Sequence, residues 1–393
     1  MIEGGYEKER RYSCCILLFY GLSYRHKIFK TVALIDIMDD TLKLAIVGIG
    51  LMGKRHAKAI SQSEGVDLVA IVEPGAEGEI FASQQALPCF SCLKDMFSVV
   101  KPDGVILATP TALHVVQALD CIAHNCPVLI EKPLATCVHE AIEIVVAARK
   151  ARIPVLVGHH RRYNPLVQKA YDTICEGHIG AVRAVHAQCW FYKPDHYFDC
   201  APWRTQKGAG PISVNLVHDI DLIRYLCGGV ISVQAEATPS RRGHENEDLA
   251  AALLTFVNGA VGTLTVSDAV VSPWSWELTA QEYPIYPPTG QSCYFIGGDR
   301  GSLSVPDLRV WHNQGERDWW EPMSATSLLR ETSDPLVNQI LHFARVIRGE
   351  VKPLVSALEG LKTLQVIEAI QVAAYRKQRV VIEATESLLE PGA

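Results

Sequence analysis

The 393-residue chain is 48% apolar and 20% charged, with a formal net charge of −6 at pH 7. These balances lie near globular averages and exclude collagen-like, coiled-coil and disordered classes, and without a dense basic run there is no electrostatic footprint for nucleic acid. The length predicts two domains, each with its own core, and the charge predicts a small-molecule partner.

The first forty residues do not match the rest. Arg10 and Arg11 precede an apolar run from Cys14 to Tyr20, too short for the roughly 20 residues that cross a bilayer and not followed by a small-residue cleavage site. Residues 1–40 are expected to be an unstructured extension, residues 1–37 to have no packed role, and the protein to make no membrane contact. The 12 cysteines are scattered, which predicts reduced thiols in the cytoplasm rather than a disulfide framework. Cys89 and Cys92 have the spacing of a zinc pair but no second pair follows, so no metal is expected.

Leu44 to Val47 is an apolar strand that runs into Gly48-Ile49-Gly50-Leu51-Met52-Gly53. Gly48 permits a tight turn, Gly50 leaves room for phosphate oxygens, and Gly53 lets the helix from Leu51 to about Ser61 pack on the strand with its first amides toward an anion. A second strand, Leu68 to Val72, ends at Glu73, where a ribose diol is usually gripped. The alternation continues with strand Gly104–Ala108, helix Thr111–His124, strand Pro127–Glu131, helix Thr136–Ala151 and strand Pro154–Gly158. This predicts a Rossmann domain over 41–160, a doubly wound parallel sheet covered on both faces.

Beyond residue 160 the pattern changes. Val182–Tyr192, Val230–Thr238, Asp248–Phe256 and Val261–Val270 read as long strands, with Asn258-Gly259 as a hairpin turn. Helices Asn164–Gly177, Ile212–Cys227, Pro335–Arg348 and Ser356–Arg379 are expected to cover one face of an open, mostly antiparallel sheet, giving an α+β domain over 161–385 and a tail over 386–393. The other face must also be hidden, which predicts a homodimer or homotetramer.

In an α/β sheet the ligand lies beyond the carboxyl ends of the strands. Four sets fall there or across the cleft: Ala108-Thr109-Pro110 with His114, Glu131-Lys132-Pro133, the joint from Gly158 to Pro165 that includes Tyr163, and Trp203-Arg204 followed by a glycine-rich approach to Asn215, His218, Asp219 and Asp221. Asn215 and His218 are three apart and are expected to share a helix face.

Together these sets resemble the Gfo/Idh/MocA family of nicotinamide-dependent oxidoreductases, from about Lys43 to Val381, with a late match at Ser356-Ala357-Leu358-Glu359-Gly360. The resemblance implies that Gly48, Gly50, Leu51, Met52, Gly53, Glu73, Ala108, Thr109, Pro110, His114, Glu131 and Lys132 bind the cofactor. It implies Lys132, Tyr163, Trp203, Arg204, Asn215 and His218 around the substrate, with Lys132 and His218 flanking the carbon that exchanges hydride. The chain departs from the family where many members place an aspartate four residues before the histidine, because Val214 stands there. Asn215 can hydrogen-bond a hydroxyl but cannot accept a proton, so acid–base work falls on His218 and Lys132.

The expected activity is hydride transfer between NAD and a secondary alcohol of a cyclic polyol, sugar or dihydrodiol. Glu73, with no basic residue just after it, favours NAD over NADP. Trp274, Trp276, Tyr283 and Tyr286 read equally as a sugar-stacking surface or as interface filling. The rival readings are a transient redox and elimination enzyme acting on a glycosidic bond, and a non-catalytic nucleotide-sensing regulator.

Overall fold

The computed structural model describes residues 41–388; the expectations for residues 1–40 and for the tail beyond 388 lie outside them. The first half alternates strand and helix: β1 (Leu42–Val47), α1 (Leu51–Ser61), β2 (Val66–Val72), α2 (Ala76–Gln84), β3 (Cys89–Phe90), α3 (Leu93–Val99), β4 (Gly104–Leu107), α4 (His114–Ala123), β5 (Val128–Ile130), α5 (Val138–Ala151) and β6 (Val155–Val157). The six strands pair in the order β3-β2-β1-β4-β5-β6, all parallel. Val47 lies opposite both Val72 and Leu107, so the carboxyl ends of β1, β2 and β4 come level on one edge.

The second half contains α6 (Pro165–Cys175), β7 (Val182–Trp190), α7 (Asp195–Asp199), α8 (Pro211–Val214), α9 (Leu216–Cys227), β8 (Val230–Pro239), β9 (Glu247–Phe256) and β10 (Val261–Ser267). It continues through α10 (Trp276–Thr279), β11 (Tyr294–Gly298), β12 (Ser302–Val305), β13 (Arg309–Asn313), β14 (Met323–Ser327), α11 (Pro335–Ile347), α12 (Ala357–Arg376) and β15 (Val380–Val381). Nine strands form one sheet in the order β14-β13-β12-β11-β7-β10-β9-β8-β15, antiparallel except for the parallel pair β7 and β10. The architecture is a Rossmann sheet followed by a mostly antiparallel α+β domain. The four strands β11 to β14 were not among the sequence expectations: they are short, two of them carry Gly-Gly or a run of serines and threonines, and β14 is an edge.

Alternation along β1 divides the first core. Ala45 and Val47 face a cluster that includes Ile144 of α5 and Leu361 of α12, while Leu44 and Ile46 face Ile60 of α1 with Leu336, Ile340 and Phe343 of α11. Here the structure corrects the expectation that α11 covers the second sheet. A parallel sheet must be buried on both faces, and Gly104 leaves a seat for α11: an added Cβ there would stand 2.8 Å from Ile347 and 2.9 Å from Phe343. The second core is closed by α6, α8, α9 and α12 over one face of the nine-stranded sheet. Along β9, Leu254 enters that core whereas Leu253 is 40% exposed on the opposite face, which no helix among the described residues covers.

The expected helix Ile212–Cys227 is two helices, α8 and α9, broken at Asn215 (φ −100°, ψ −55°). Asn215 therefore stands at the break and does not share a regular helix face with His218. Among the described residues no helix is long and apolar enough to cross a membrane, and no cluster of three His, Cys, Asp or Glu side chains could hold a metal. Ten cysteines in this region are free thiols.

Candidate active site

The level carboxyl ends of β1, β2 and β4 open into a groove of about 900 Å³, lined by Gly48, Gly50, Leu51, Met52, Glu73, Ala108, Thr109 and Pro110. The glycine turn is built for close approach. Gly48 has φ +88°, and a Cβ there would lie 2.7 Å from the Ala108 carbonyl oxygen; at Gly53 a Cβ would collide with the Gly48 oxygen at 2.0 Å. Gly53 thus serves helix–turn packing and does not line the groove, while a side chain at Gly50 would point into open space. The Ile49 amide donates to Glu73 Oε2 over 3.0 Å, which fixes the carboxylate beside the turn. An acceptor carboxylate, a side-chain-free floor and the start of an eleven-residue helix fit a dinucleotide with its pyrophosphate over α1 and its adenosine ribose at Glu73.

Two residues expected to bind the cofactor stand behind the groove. His114 is buried between two site turns, its Nδ1 2.9 Å from the Pro133 oxygen and its Nε2 3.0 Å from the Thr109 oxygen; as a neutral ring it donates to one of the two. Burial holds its pKa below the usual value. Glu131 is 5% exposed, with Oε1 2.7 Å from His56 Nε2 and Oε2 accepting from the Lys132 amide over 3.2 Å. Burial pushes this carboxyl up, but the His56 hydrogen bond, then the charges of His56, His160 and Lys132, hold it at about 2. Both residues act as struts for the turn that presents Lys132.

Lys132 comes from the end of β5 and His218 from the first turn of α9, and the structure brings them into one electrostatic site. Burial pushes His218 well below its ordinary pKa, and the Lys132 ammonium is the strongest of the charges that push the same way, followed by Arg161, His160 and His159. Lys132 is itself lowered, first by burial and then by Arg161 and Lys193, against the pull of Glu131. His218 is accordingly a neutral imidazole at pH 7, able to accept a proton.

Around this pair lie Arg161, Asp219 and Asn215 from the sets marked in the sequence, together with Glu277, Tyr294, Lys193 and Asp268, which the sequence reading did not single out. Arg161 Nη2 donates to Glu277 Oε1 over 2.6 Å and its Nη1 lies 3.7 Å from Asp219 Oδ1. Asp219 also accepts from the Tyr294 hydroxyl, and burial lifts its carboxyl to about 6 despite Arg161. Lys193, just beyond β7 and 5% exposed, donates to Asn215 Oδ1 over 2.7 Å and lies 3.7 Å from Asp268. The only sequence signal for Lys193 was its place after a strand end, directly before Pro194.

Other expected substrate contacts are differently placed. Tyr163 is 6% exposed and sits in the first core, its ring 5.2 Å from that of His342 in α11; this position serves packing, because the short 3₁₀ turn His160–Tyr163 lies against α11. Trp203 is 51% exposed. Arg204 donates to the Tyr197 carbonyl over 2.6 Å and stacks on the Tyr197 ring at 4.0 Å, while the Lys193 ammonium stands 5.1 Å from the same ring. The aromatic stretch is divided: Trp276 is 1% exposed with its Nε1 bonded to Glu282, Trp274 lies edge-on to Trp190, and Tyr283 and Tyr286 form a pair, with Arg55 of α1 5.0 Å from the Tyr283 ring.

Comparison with known proteins agrees with this geometry. Residues 42–159 match an oxidoreductase family with an NAD-binding Rossmann fold, and residues 167–304 match the GFO/IDH/MocA C-terminal domain. The rhizopine catabolism protein MocA of Rhizobium meliloti is 28% identical over 186 residues, 47% of this chain and 57% of that protein, so the match spans little more than half of that relative. D-apiose dehydrogenase of Paraburkholderia graminis is 24% identical over 88% of this chain and 91% of its own length. The WlbA dehydrogenase of Bordetella pertussis, solved with NADH and UDP-GlcNAcA, superposes with a TM-score of 0.71 at 25% identity, covering 88% of this chain and 99% of that one. The chain belongs to the Gfo/Idh/MocA family, its Rossmann domain being the NAD-binding part and its nine-stranded domain the family's C-terminal part.

Proposed function

We propose that this protein is an NAD-dependent dehydrogenase acting on a secondary alcohol of a cyclic polyol, sugar or dihydrodiol, with His218 as general base and Lys132 as its partner. The observation that carries the reading is that Lys132, beyond the end of β5, acts on His218, in α9 of the second domain, in a chain whose first sheet carries a groove that fits a dinucleotide. Bound NAD supplies the hydride acceptor. The chain's own residues do the rest: neutral His218 accepts the hydroxyl proton, and Lys132 donates to the same oxygen and stabilises the charge that grows on it, an effect strong in a water-poor cleft. Arg161, Glu277, Lys193 and Asn215 offer both donors and acceptors, which suits hydroxyl groups that do both. The similarity to a D-apiose dehydrogenase supports the substrate class.

The uncovered sheet face supports self-association. Leu253, Val261, Phe295 and Trp311, each 38–45% exposed, lie on it, so we assign a homodimer or larger homo-oligomer through this face. The free thiols support a reducing compartment such as the cytoplasm.

The test is a panel of cyclic polyols and aldoses assayed for NADH absorbance, repeated with Lys132→Met and His218→Ala. Absorbance that grows with the native chain and stops in both variants is expected. Sugar release without NADH moves the assignment to the elimination reading, and tight NAD binding with neither product moves it to the regulator.

A further inference from the structure

A base that removes a hydroxyl proton must pass it on, and His218 is poorly placed to keep one. Lys132, Arg161, His159 and His160 face it, its Nδ1 is buried with no hydrogen-bond partner among the described residues, and every resident charge among these four is positive. Two neighbouring rings stand close enough to take the proton through one water: His160 at 5.7 Å and His159 at 6.3 Å between ring centres, both nearly edge-on. Each has its own Nδ1 buried and unpartnered. Buried polar atoms left unbonded are uncommon, and a buried water is their usual partner where two or more of them share a neighbourhood.

The two rings differ in what lies behind them. His160 Nε2 is 3.0 Å from Glu282 Oε1, and Glu131 also acts on the ring; Glu282 is held in place by Asn164 Nδ2 at 2.8 Å and Trp276 Nε1 at 3.0 Å, and it also feels Arg161. His159 reaches Asp221 only at 4.0 Å, and that carboxylate is already taken bidentately by Arg162 at 2.8 and 2.6 Å. Arg162, Lys132 and Arg224 all oppose a charge on His159, while two carboxylates compensate one on His160.

We propose that His160, backed by Glu282, receives through one bridging water the proton that His218 takes from the substrate. The substrate O–H bond breaks as His218 Nε2 accepts the proton; His218 Nδ1–H passes a proton to the water, and the water passes one to His160 Nδ1. His160, whose Nε2–H already donates to Glu282, becomes an imidazolium paired with that carboxylate, and His218 returns to neutrality as the other tautomer. The electron pair of the broken C–H bond leaves as hydride to NAD. His160 acts through His218 and touches no reacting atom. The inference rests on the reading of His218 as the base.

The test uses the full chain with bound NAD and nitrogen-labelled histidine, followed by NMR during acidification. An imidazolium that forms at His160 before any forms at His218, is absent in His160→Gln, and shifts by a pH unit or more toward acid in Glu282→Gln is the expected result. Charging of His218 first, or a His160 titration unmoved by Glu282→Gln, overturns the proposal. In the alcohol assay, His160→Gln should slow oxidation about tenfold, alter the acid limb of kcat/KM, and be rescued by added imidazole; an unchanged pH profile overturns it. Glu282→Gln keeps an acceptor for Asn164 and serves if His160→Gln does not fold. Absence of NADH with the native chain counts against the dehydrogenase reading alone, since the NMR order is decided without turnover.

Discussion

The Lys193 ammonium donates to Asn215 Oδ1 over 2.7 Å, so a lysine beyond β7 holds the residue at the break between α8 and α9. With its oxygen taken, Asn215 is left with its amide hydrogens for a ligand, the opposite of the acceptor role that a carboxylate near this position would have. Lys193→Met leaves the buried Asn215 oxygen without a donor, which costs about 1–3 kcal/mol. The expected outcome is a lower Tm and a raised KM for the alcohol, while Asn215→Asp, which keeps a partner for the ammonium, retains Tm. Equal Tm in Lys193→Met and the native chain would show that the bond contributes nothing to stability.

His218→Ala should reduce kcat by roughly two orders of magnitude or more, the usual weight of a general base. Because burial and then Lys132 lower the His218 pKa, the base stays neutral to more acidic pH than an ordinary histidine. Oxidation controlled by this ring therefore loses its base only below about pH 6.5. In His160→Gln, where the limb reports His218 without its neighbour, an acid limb of kcat/KM centred above that value contradicts this account of His218.

The buried pair of His56 and Glu131 makes a stability prediction with a definite sign. Its carboxyl is held at about 2, below its unfolded value near 4.5, so the pair's contribution is complete above about pH 4.5 and disappears as pH falls toward 2. Glu131→Gln should destabilise the protein at neutral pH by up to about 3 kcal/mol. The gap between variant and native chain should close on acidification; denaturant titrations showing a constant gap would rule out this linkage.

The Ile49 amide fixes Glu73 over 3.0 Å, and on the reading proposed above this carboxylate sets the cofactor preference. Loss of a hydrogen bond to a charged acceptor costs about 1.5–3 kcal/mol, so Glu73→Ala should weaken NAD binding by about tenfold or more and narrow its margin over NADP. Fluorescence titration with both cofactors reads the ratio, and a native chain that prefers NADP would refute the assignment of Glu73.

Phe343 is fully buried between α11 and the first sheet, against the seat left by Gly104. Phe343→Ala should cost about 3–5 kcal/mol. If α11 instead lay loosely on this face, the change in urea midpoint would be small.

The sequence carried the local grammar and the pieces of the cofactor groove. The periodic strands and helices up to Val157, the glycine turn, Glu73 and the Ala-Thr-Pro turn are consecutive or nearly so, and their meaning lies in spacing along one strand–turn–helix unit. The substrate side was less legible. Lys132 and His218 were identified through resemblance, but Tyr163 faces the core and Arg204 is drawn to Tyr197; His160 and Arg161 were marked only as part of the joint from Gly158 to Pro165, without a role, and Lys193 and Glu277 entered only with the structure.

Periodicity reports which face of an element is apolar and not which surface receives it. That is why α11 could be read as a helix from Pro335 but not as the cover of a sheet nearly three hundred residues earlier in the chain. The sequence by itself determined two domains of α/β and α+β character and a backbone cradle for a dinucleotide, because these follow from short-range sterics and side-chain alternation. Only the tertiary structure decided which charges surround His218, because burial and Coulomb interactions depend on distances between residues far apart in the chain.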